Sequence, residues 1–262
     1  MLYYFLYFIK RFFDANYKIL RVVWKFIYKL ETLNEAFWLS VLSKEKLEGL
    51  IIKMYKRTDR YRVDATTTKG FRNFEQYMVQ NYVSNPSTIT IIGAGGGREV
   101  YALAKLGHAV NAFEVDEAMV KYAVRFFRIE NINVNFEVFP ASRVPICACD
   151  VFWFGWGVYT HIFGQETRVK LLKEAKKTLN VNGKIFISYW HETRTEEHLE
   201  TIERVSKRLN KREVEQGESL RQGFWGKYFT TDQIIQESEM AGLKVAYISK
   251  EQYGHAVLVP AC

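Results

Sequence analysis

Apolar and polar residues follow two different patterns along the chain, and the change falls near residue 84. Up to that point apolar side chains recur three and four positions apart, which predicts helices. From residue 85 onward, short apolar runs alternate with helical patterns, which predicts parallel strands joined by helices. Seven strands are predicted, at 88–92, 109–113, 134–139, 150–154, 184–189, 244–249 and 254–259. The pattern therefore predicts a helical region over 1–84 and an α/β domain over 85–262.

The first predicted strand ends in a glycine-rich loop. Thr90-Ile-Ile-Gly-Ala-Gly-Gly-Gly-Arg-Glu99 leads from this strand into a helix. Small residues at the end of a buried strand let a ligand approach the backbone, and the next helix offers its N-terminal amides. The second strand ends in Glu114, about where a nucleotide-binding fold places an acid on ribose hydroxyls. These segments predict a nucleoside-binding unit, although an exposed residue at a helix start is the alternative for Glu114.

The spacing of these glycines distinguishes two classes of nucleoside-binding site. A dinucleotide site has its third glycine or alanine at the position of Arg98, whereas this chain has Gly97 one residue earlier. The spacing G-x-G-x-G resembles the first motif of class I S-adenosylmethionine-dependent methyltransferases. Further segments resemble that family in the same order, namely Phe113–Met119, Asp150–Phe154, Leu171–Ser188, Phe229–Asp232 and Ala241–Val245. The resemblance implies a Rossmann-like seven-stranded sheet with helices on both faces, preceded by a helical N-terminal extension.

The same resemblance implies S-adenosylmethionine as the cofactor. The expected cofactor-binding residues are Gly93, Ala94, Gly95, Gly97, Glu114, Val115, Ser142 and Gly155. Glu114 would accept hydrogen bonds from both ribose hydroxyls, and Ser142 lies in the loop that relatives place against adenine. Many relatives have an acid two residues before the first glycine of the motif, where this chain has Ile91. The partner of the methionine amino group must therefore come from elsewhere, and a backbone carbonyl of the loop is one candidate.

The candidate catalytic residues follow the fourth and fifth strands, because ligands of open α/β sheets bind at the carboxyl ends of strands. They are His161, His191 and Tyr159. Trp156, Tyr159 and His161 are expected to cluster where the acceptor meets the methyl group. A histidine could deprotonate a hydroxyl acceptor, whereas an amine needs no strong base, so O- and N-methylation both stay open. His161 also matches a histidine that is structural in many relatives, and this alternative has equal weight.

Two further segments are expected to cover the cavity. By the resemblance, residues 55–80 are the candidate lid, and a solvated charged face is the alternative for their basic residues. Gly223–Phe229 is aromatic and contains glycines, which suits a mobile loop over the pocket. A hydrophobic loop that closes the edge of the sheet is the alternative there.

Residues 1–30 are predicted to form a basic amphipathic helix. Six basic residues against Asp14 alone give this segment a net charge of +5, out of the formal +8 of the chain. Its longest uncharged run, Met1–Ile9, is shorter than the ~20 residues that a bilayer span requires. The helix is expected either to lie on an anionic membrane surface or to pack on the protein or a second copy, with equal weight. Thr32 and Ser43 are predicted to begin further helices.

Composition adds expectations about the setting of the protein. A hydrophobic content of 48% over 262 residues indicates a globular chain. Three cysteines without a Cys/His cluster predict no structural metal and a reduced, cytoplasmic setting, with a peripheral position on the inner membrane face as the alternative. Nucleic acid is a disfavoured partner, because the basic residues lie in helices with apolar faces.

The expected function is the transfer of a methyl group from S-adenosylmethionine to a hydroxyl or amine of a small metabolite, lipid or glycan. The second hypothesis is a catalytically silent module with a methyltransferase fold, which its N-terminal helix anchors to a membrane or a partner. A homodimer also stays open.

Overall fold

A computed structural model describes the backbone of residues 2–57, 61–221 and 223–261. The side chains of residues 2–16, 18, 56, 57 and 221 lie outside this description. The helices are α1 (Leu2–Val41), α2 (Lys44–Arg57), α3 (Asp64–Thr67), α4 (Asn73–Tyr82), α5 (Arg98–Lys105), α6 (Glu117–Ile129), α7 (Gln165–Thr178), α8 (Glu196–Leu209) and α9 (Thr231–Met240). The strands are β1 (Thr88–Ile92), β2 (Ala109–Glu114), β3 (Asn135–Val138), β4 (Cys149–Phe154), β5 (Leu179–His191), β6 (Glu218–Arg221), β7 (Phe224–Phe229), β8 (Leu243–Ser249) and β9 (Gly254–Pro260).

The chain divides into two compact units, and each contains two stretches of sequence. Unit 1 comprises Met1–Ser43 and Arg194–Gln222, and unit 2 comprises Lys44–Thr193 and Gly223–Cys262. These limits differ from the division at residue 84 that the sequence pattern suggests. Residues 44–84 group with the sheet, whereas 194–222 group with the N-terminal helix.

The sheet of unit 2 has the order β3-β2-β1-β4-β5-β9-β8. The first five strands pair in parallel, while β9 is antiparallel to both β5 and β8. Ile89 and Ile91 of β1 belong to one apolar core, whereas Ile92 belongs to the core on the opposite face. Helices α4, α5 and α6 contribute to the first core, and α7 and α9 contribute to the second. The predicted Rossmann-like sheet with helices on both faces is therefore confirmed, and its seven predicted strands are present.

Most of the segment Gly223–Phe229 forms the strand β7, which begins at Phe224, so its interpretation as a mobile loop over the pocket was wrong. Within β7, Trp225, Lys227 and Phe229 are buried, which is the period-2 pattern of a strand. The last two residues of β5 pair in parallel with β7. Gly226 is needed for this packing, because a Cβ atom there would lie 2.4 Å from Cζ3 of Trp190.

Unit 1 is built on α1, which runs through residue 41 without a break. Thr32 is therefore inside this helix and does not begin a new one, and its hydroxyl donates to the carbonyl of Tyr28. In contrast, α2 begins at Lys44, directly after Ser43, as predicted.

His198 of α8 lies 3.1 Å from the Glu35 carboxylate, and Ser219 donates to the same carboxylate at 2.6 Å. Burial alone would raise the pKa of Glu35, but hydrogen bonds from His198, Ser219 and the Leu220 amide lower it to about 2.

Among the described residues, no helix is long and apolar enough to span a bilayer.

Candidate functional site

A cavity of about 990 Å³ opens at the carboxyl ends of the parallel strands in unit 2. Its size lies at the upper end of the range for small-molecule sites, about 300–1,000 Å³. The glycine loop, the end of β2 and the loop after β3 line one side. Parts of α2, Thr66, Thr67 and residues 69–72 also line it, as does the loop after β4. This is the edge of the sheet at which open α/β folds bind their ligands.

The glycine loop is shaped by contacts that leave no room for side chains. A Cβ atom at Gly93 would lie 2.2 Å from Cγ2 of Val158, and one at Gly96 would lie 1.9 Å from the carbonyl oxygen of Tyr61. Gly95 differs, because its Cβ position is open and faces no atom within 4 Å. Its φ of +55° requires a left-handed backbone, which glycine adopts without steric cost. The loop at Gly95 therefore offers bare backbone to the cavity.

Glu114 ends β2 as the sequence predicts, and its carboxylate lines the cavity. It accepts hydrogen bonds from the amides of Gly95 at 2.8 Å, Val115 at 2.8 Å and Asp116 at 3.1 Å. Burial raises the pKa of Glu114, and these three amides oppose that rise. The carboxylate is thus fixed against the glycine loop in an orientation that it does not have to acquire on binding.

Arg98 and Glu99 open α5 beside the glycine loop, and both line the cavity. The Arg98 guanidinium donates to both carboxylate oxygens of Glu75 at 2.6 and 2.7 Å, to Glu99 at 2.6 Å and to the carbonyl of Gly70 at 2.8 Å. Burial raises the pKa of Glu75, whereas the two carboxylates raise that of Arg98 against the effect of its own burial. The cluster therefore places two carboxylates around one guanidinium at the cavity wall.

Aromatic side chains form a further part of the cavity wall. Tyr55 of α2 lies with its ring centroid 6.0 Å from that of Tyr61 and 5.9 Å from that of His161. Arg72 stacks on the Trp156 ring at 3.8 Å, and both of these residues line the cavity. Faces of aromatic rings attract cations, so this wall suits a positively charged group.

His161 lies in this wall, as expected, on a short 3₁₀ turn (Val158–His161) after β4. Its Nδ1 is 3.1 Å from the carbonyl oxygen of Trp225. Because a carbonyl can only accept, Nδ1 carries the proton, and Nε2 of the neutral ring is left as an acceptor. Burial lowers the pKa of His161 to about 4, in spite of that hydrogen bond. The ring is therefore neutral at physiological pH.

Tyr159 and His191 do not line the cavity, so Tyr159 does not join Trp156 and His161 there as predicted. Tyr159 is fully buried, and its hydroxyl donates to the Glu237 carboxylate of α9 at 2.5 Å. His191 is at the end of β5, where it pairs with Phe229 of β7. We therefore retain His161 alone of the three as a candidate catalytic residue.

Six of the eight expected cofactor-binding residues line the cavity, namely Gly93, Ala94, Gly95, Glu114, Val115 and Ser142. Gly97 and Gly155 do not, and both positions are instead required by close packing. A Cβ atom at Gly97 would lie 2.6 Å from Cε2 of Phe127, and one at Gly155 would lie 2.4 Å from the carbonyl oxygen of Gly93. Gly97 and Gly155 therefore allow the close packing around the glycine loop.

Part of the candidate lid lines the cavity, namely Tyr61, Thr66, Thr67 and residues 69–72. Several residues of α2 between Lys44 and Tyr55 also line it, and this helix begins before the predicted segment. Arg60 and the side chains of Lys56 and Arg57 lie outside the described residues. Sequence reasoning missed α2 because its contribution depends on tertiary packing. It missed Glu99 because an acid in a first helical turn is common without any ligand.

No group of three or more His, Cys, Asp or Glu residues in the described part of the chain could hold a metal ion.

Comparison with known proteins connects this site with a family. Residues 91–187 match the family profile described as a methyltransferase domain. The chain is 26% identical over 133 residues to the cation channel sperm-associated auxiliary subunit gamma 2 of Mus musculus. That match covers 47% of this chain but only 12% of the mouse protein, so the chain spans a small part of this curated relative.

Two solved structures share the fold at low sequence identity. A 1,6-didemethyltoxoflavin-N1-methyltransferase from Burkholderia thailandensis, with bound 1,6-didemethyltoxoflavin and S-adenosylhomocysteine, superposes with a TM-score of 0.60 at 12% identity, covering 85% of this chain and 92% of that one. An S-adenosylmethionine-dependent methyltransferase from Methanosarcina mazei gives 0.58 at 16% identity, covering 73% and 99%. Residues 91–187 thus resemble a methyltransferase domain, and the chain has the Rossmann-like fold that these two methyltransferases share.

Proposed function

We propose that this chain transfers the methyl group of S-adenosylmethionine to a hydroxyl group of a small, largely apolar acceptor. The observation that carries the proposal is the position of His161. Its ring lines the same cavity as Glu114 and the glycine loop, with Nδ1–H committed to the carbonyl of Trp225. Nε2 is then the atom that can accept a proton from the acceptor.

The nucleoside half of the cofactor fits the glycine side of the cavity. Open space at Gly95 allows the ribose to lie over the backbone, and Glu114 is fixed beside it. Oε1 of Glu114 accepts the amides of Val115 and Asp116, whereas Oε2 accepts only that of Gly95 and so retains acceptor capacity. A ribose hydroxyl would bind there, with adenine between Val115 and the loop that carries Ser142.

The methionyl half of the cofactor would bind at the Arg98 cluster. Ile91 occupies the position at which many relatives have an acid, so another group must accept from the ammonium group. Glu99 shares the Arg98 guanidinium with Glu75, and Glu99 is the one of these two carboxylates that lines the cavity and could pair with the ammonium group. Arg72, stacked on Trp156 in the same wall, offers positive charge for the carboxylate of the cofactor.

The acceptor would occupy the aromatic side of the cavity, which the nucleoside leaves open. When bound, the cofactor would supply an electrophilic methyl group to the acceptor oxygen and would leave as S-adenosylhomocysteine. His161 Nε2 takes the proton of the hydroxyl and later releases it to solvent. Tyr55, Tyr61 and Trp156 orient an apolar acceptor and exclude water.

The test is a screen of phenols, aliphatic alcohols and matching amines for release of S-adenosylhomocysteine. With the best hydroxyl acceptor, His161→Asn should lower kcat by roughly 10²–10⁴-fold, the range for loss of a general base. The matched control is His191→Asn, which should leave kcat unchanged, because this side chain does not line the cavity.

The pH profile provides a second readout of the same base. The folded pKa of His161 is depressed to about 4, so the neutral form is present above that value. The rate should fall only as the pH drops through about 4, and not near 6.5. Methylation of amines alone, or an unaffected His161→Asn variant, would contradict the proposal. Cofactor binding without turnover on any acceptor would favour the catalytically silent module.

A further inference from the structure

We propose that the N-terminal part of α1 is a docking surface for an anionic phospholipid bilayer, on which it lies parallel to the membrane plane. This inference is independent of the methyl-transfer chemistry. It concerns residues 17–31 of unit 1, which we call the exposed segment. Every residue of this segment whose side chain is described is exposed, and Thr32 is the first buried position that follows.

The exposed segment presents large apolar side chains to solvent. Trp24 and Tyr17 are each 68% exposed, and Phe26 is 63% exposed. Within unit 1, by contrast, the positions of α1 after residue 31 include the buried Glu35, Ala36 and Leu39. A contiguous apolar surface of this kind is rare on soluble proteins and marks a site of interaction. The exposed segment therefore lacks a covering that the rest of α1 has.

The basic residues of the segment form one narrow stripe. Arg21, Lys25 and Lys29 recur at intervals of four, and Lys18 precedes Arg21 by three positions. At 100° per residue these positions span an arc of about 80°, and apolar or aromatic residues fill about 240° of the remaining circumference. Glu31, the last residue of the segment, is its one acidic residue and falls on the apolar arc, and no acidic residue occurs between Asp14 and Glu31. The polar face therefore carries positive charge only, which is complementary to anionic headgroups.

The width of the apolar arc decides between the two kinds of partner. A second copy pairing through a coiled coil would cover a seam of about two positions in seven and leave most of the arc in water. A bilayer surface can receive the whole arc, with the aromatic residues at the acyl boundary and the lysines extended to the headgroups. The arrangement of this segment therefore fits a lipid surface better than a second copy.

Co-sedimentation of the full chain with vesicles tests this surface. The chain should bind vesicles of phosphatidylcholine with phosphatidylserine, and binding to phosphatidylcholine alone should be weaker. Added salt should reduce the difference, since the Debye length shortens. Replacing Lys18, Arg21, Lys25 and Lys29 by Gln should lower the partition coefficient for the anionic vesicles roughly tenfold or more.

Two matched variants separate the contributions of charge and apolar surface. Replacing the exposed Lys170, Lys173, Lys177 and Lys244 by Gln removes the same charge from unit 2 and should leave partitioning unchanged. Leu20, Trp24 and Ile27 lie opposite the basic stripe. Replacing all three by Ser should abolish binding to both kinds of vesicle. Circular dichroism shows whether each variant is folded.

Three results would overturn the proposal. The first is equal binding to the anionic and the neutral vesicles. The second is an equal loss of vesicle binding when either the basic stripe or the four lysines of unit 2 are replaced by Gln. The third is a chain that binds no vesicles but forms a dimer, which dissociates when Leu20, Trp24 and Ile27 are replaced by Ser. The last result would identify a second copy as the partner.

Discussion

Unit 2 contains two buried arginine–carboxylate clusters, and they differ in balance and in position. Arg168 of α7 is fully buried and donates to both oxygens of Glu237 of α9, with the shortest contact at 2.6 Å. It also donates to the carbonyl of Ile162, and Tyr159 donates to Glu237. Arg98, by contrast, lies at the cavity wall and faces the two carboxylates of Glu75 and Glu99.

The difference shows how one pair of residue types can serve two purposes. In the Arg168 cluster one guanidinium pairs with one carboxylate. The cluster also contacts Tyr159 and Ile162, and it thereby supports the 3₁₀ turn that carries His161. Its charges are balanced and lie away from the cavity. In the Arg98 cluster two carboxylates share one guanidinium, and Arg98 and Glu99 line the cavity, whereas Glu75 is buried and does not. We therefore expect the first cluster to determine stability and the second to determine cofactor affinity.

The largest effect should follow from breaking the Arg168 cluster. Arg168→Met leaves the Glu237 carboxylate buried without its cation, and removing one partner of a buried pair costs about 3–5 kcal/mol of unfolding free energy. Urea denaturation measures this loss. The double change Arg168→Met with Glu237→Met is the control, since replacing both charges should recover much of the stability. A single variant within 1 kcal/mol of the parent would contradict a structural role.

The same contrast explains what sequence reasoning could and could not find. The seven strands, the glycine loop and Glu114 were predictable, because strand periodicity and the order of segments are local properties of the sequence. Tyr159 was misplaced because its partner Glu237 lies 78 positions further along the chain. The surplus of carboxylates around Arg98 was likewise invisible, because Glu75 precedes it by 23 positions in a different helix.

Glu114→Ala should produce the second largest effect, and it should act on binding. Loss of a charged acceptor of the ribose hydroxyls should weaken S-adenosylmethionine binding by about 1.5–3 kcal/mol. Isothermal titration calorimetry measures the affinity, and the same loss is expected for 5′-methylthioadenosine, which has the ribose but lacks the amino-acid end. An unchanged affinity for both ligands would mean that Glu114 does not hold the ribose.

Glu99→Gln should have the smallest effect and discriminates most sharply between the two clusters. The amide retains hydrogen-bonding capacity but removes one negative charge, so S-adenosylmethionine should bind about 1 kcal/mol more weakly, the difference between a charged and a neutral acceptor. Affinity for 5′-methylthioadenosine should not change, because that ligand has no ammonium group. Weakening of both ligands to the same extent would show that Glu99 supports the shape of the glycine loop and does not pair with the methionyl end. In that case both arginine clusters would be structural, and the comparison between them would fail.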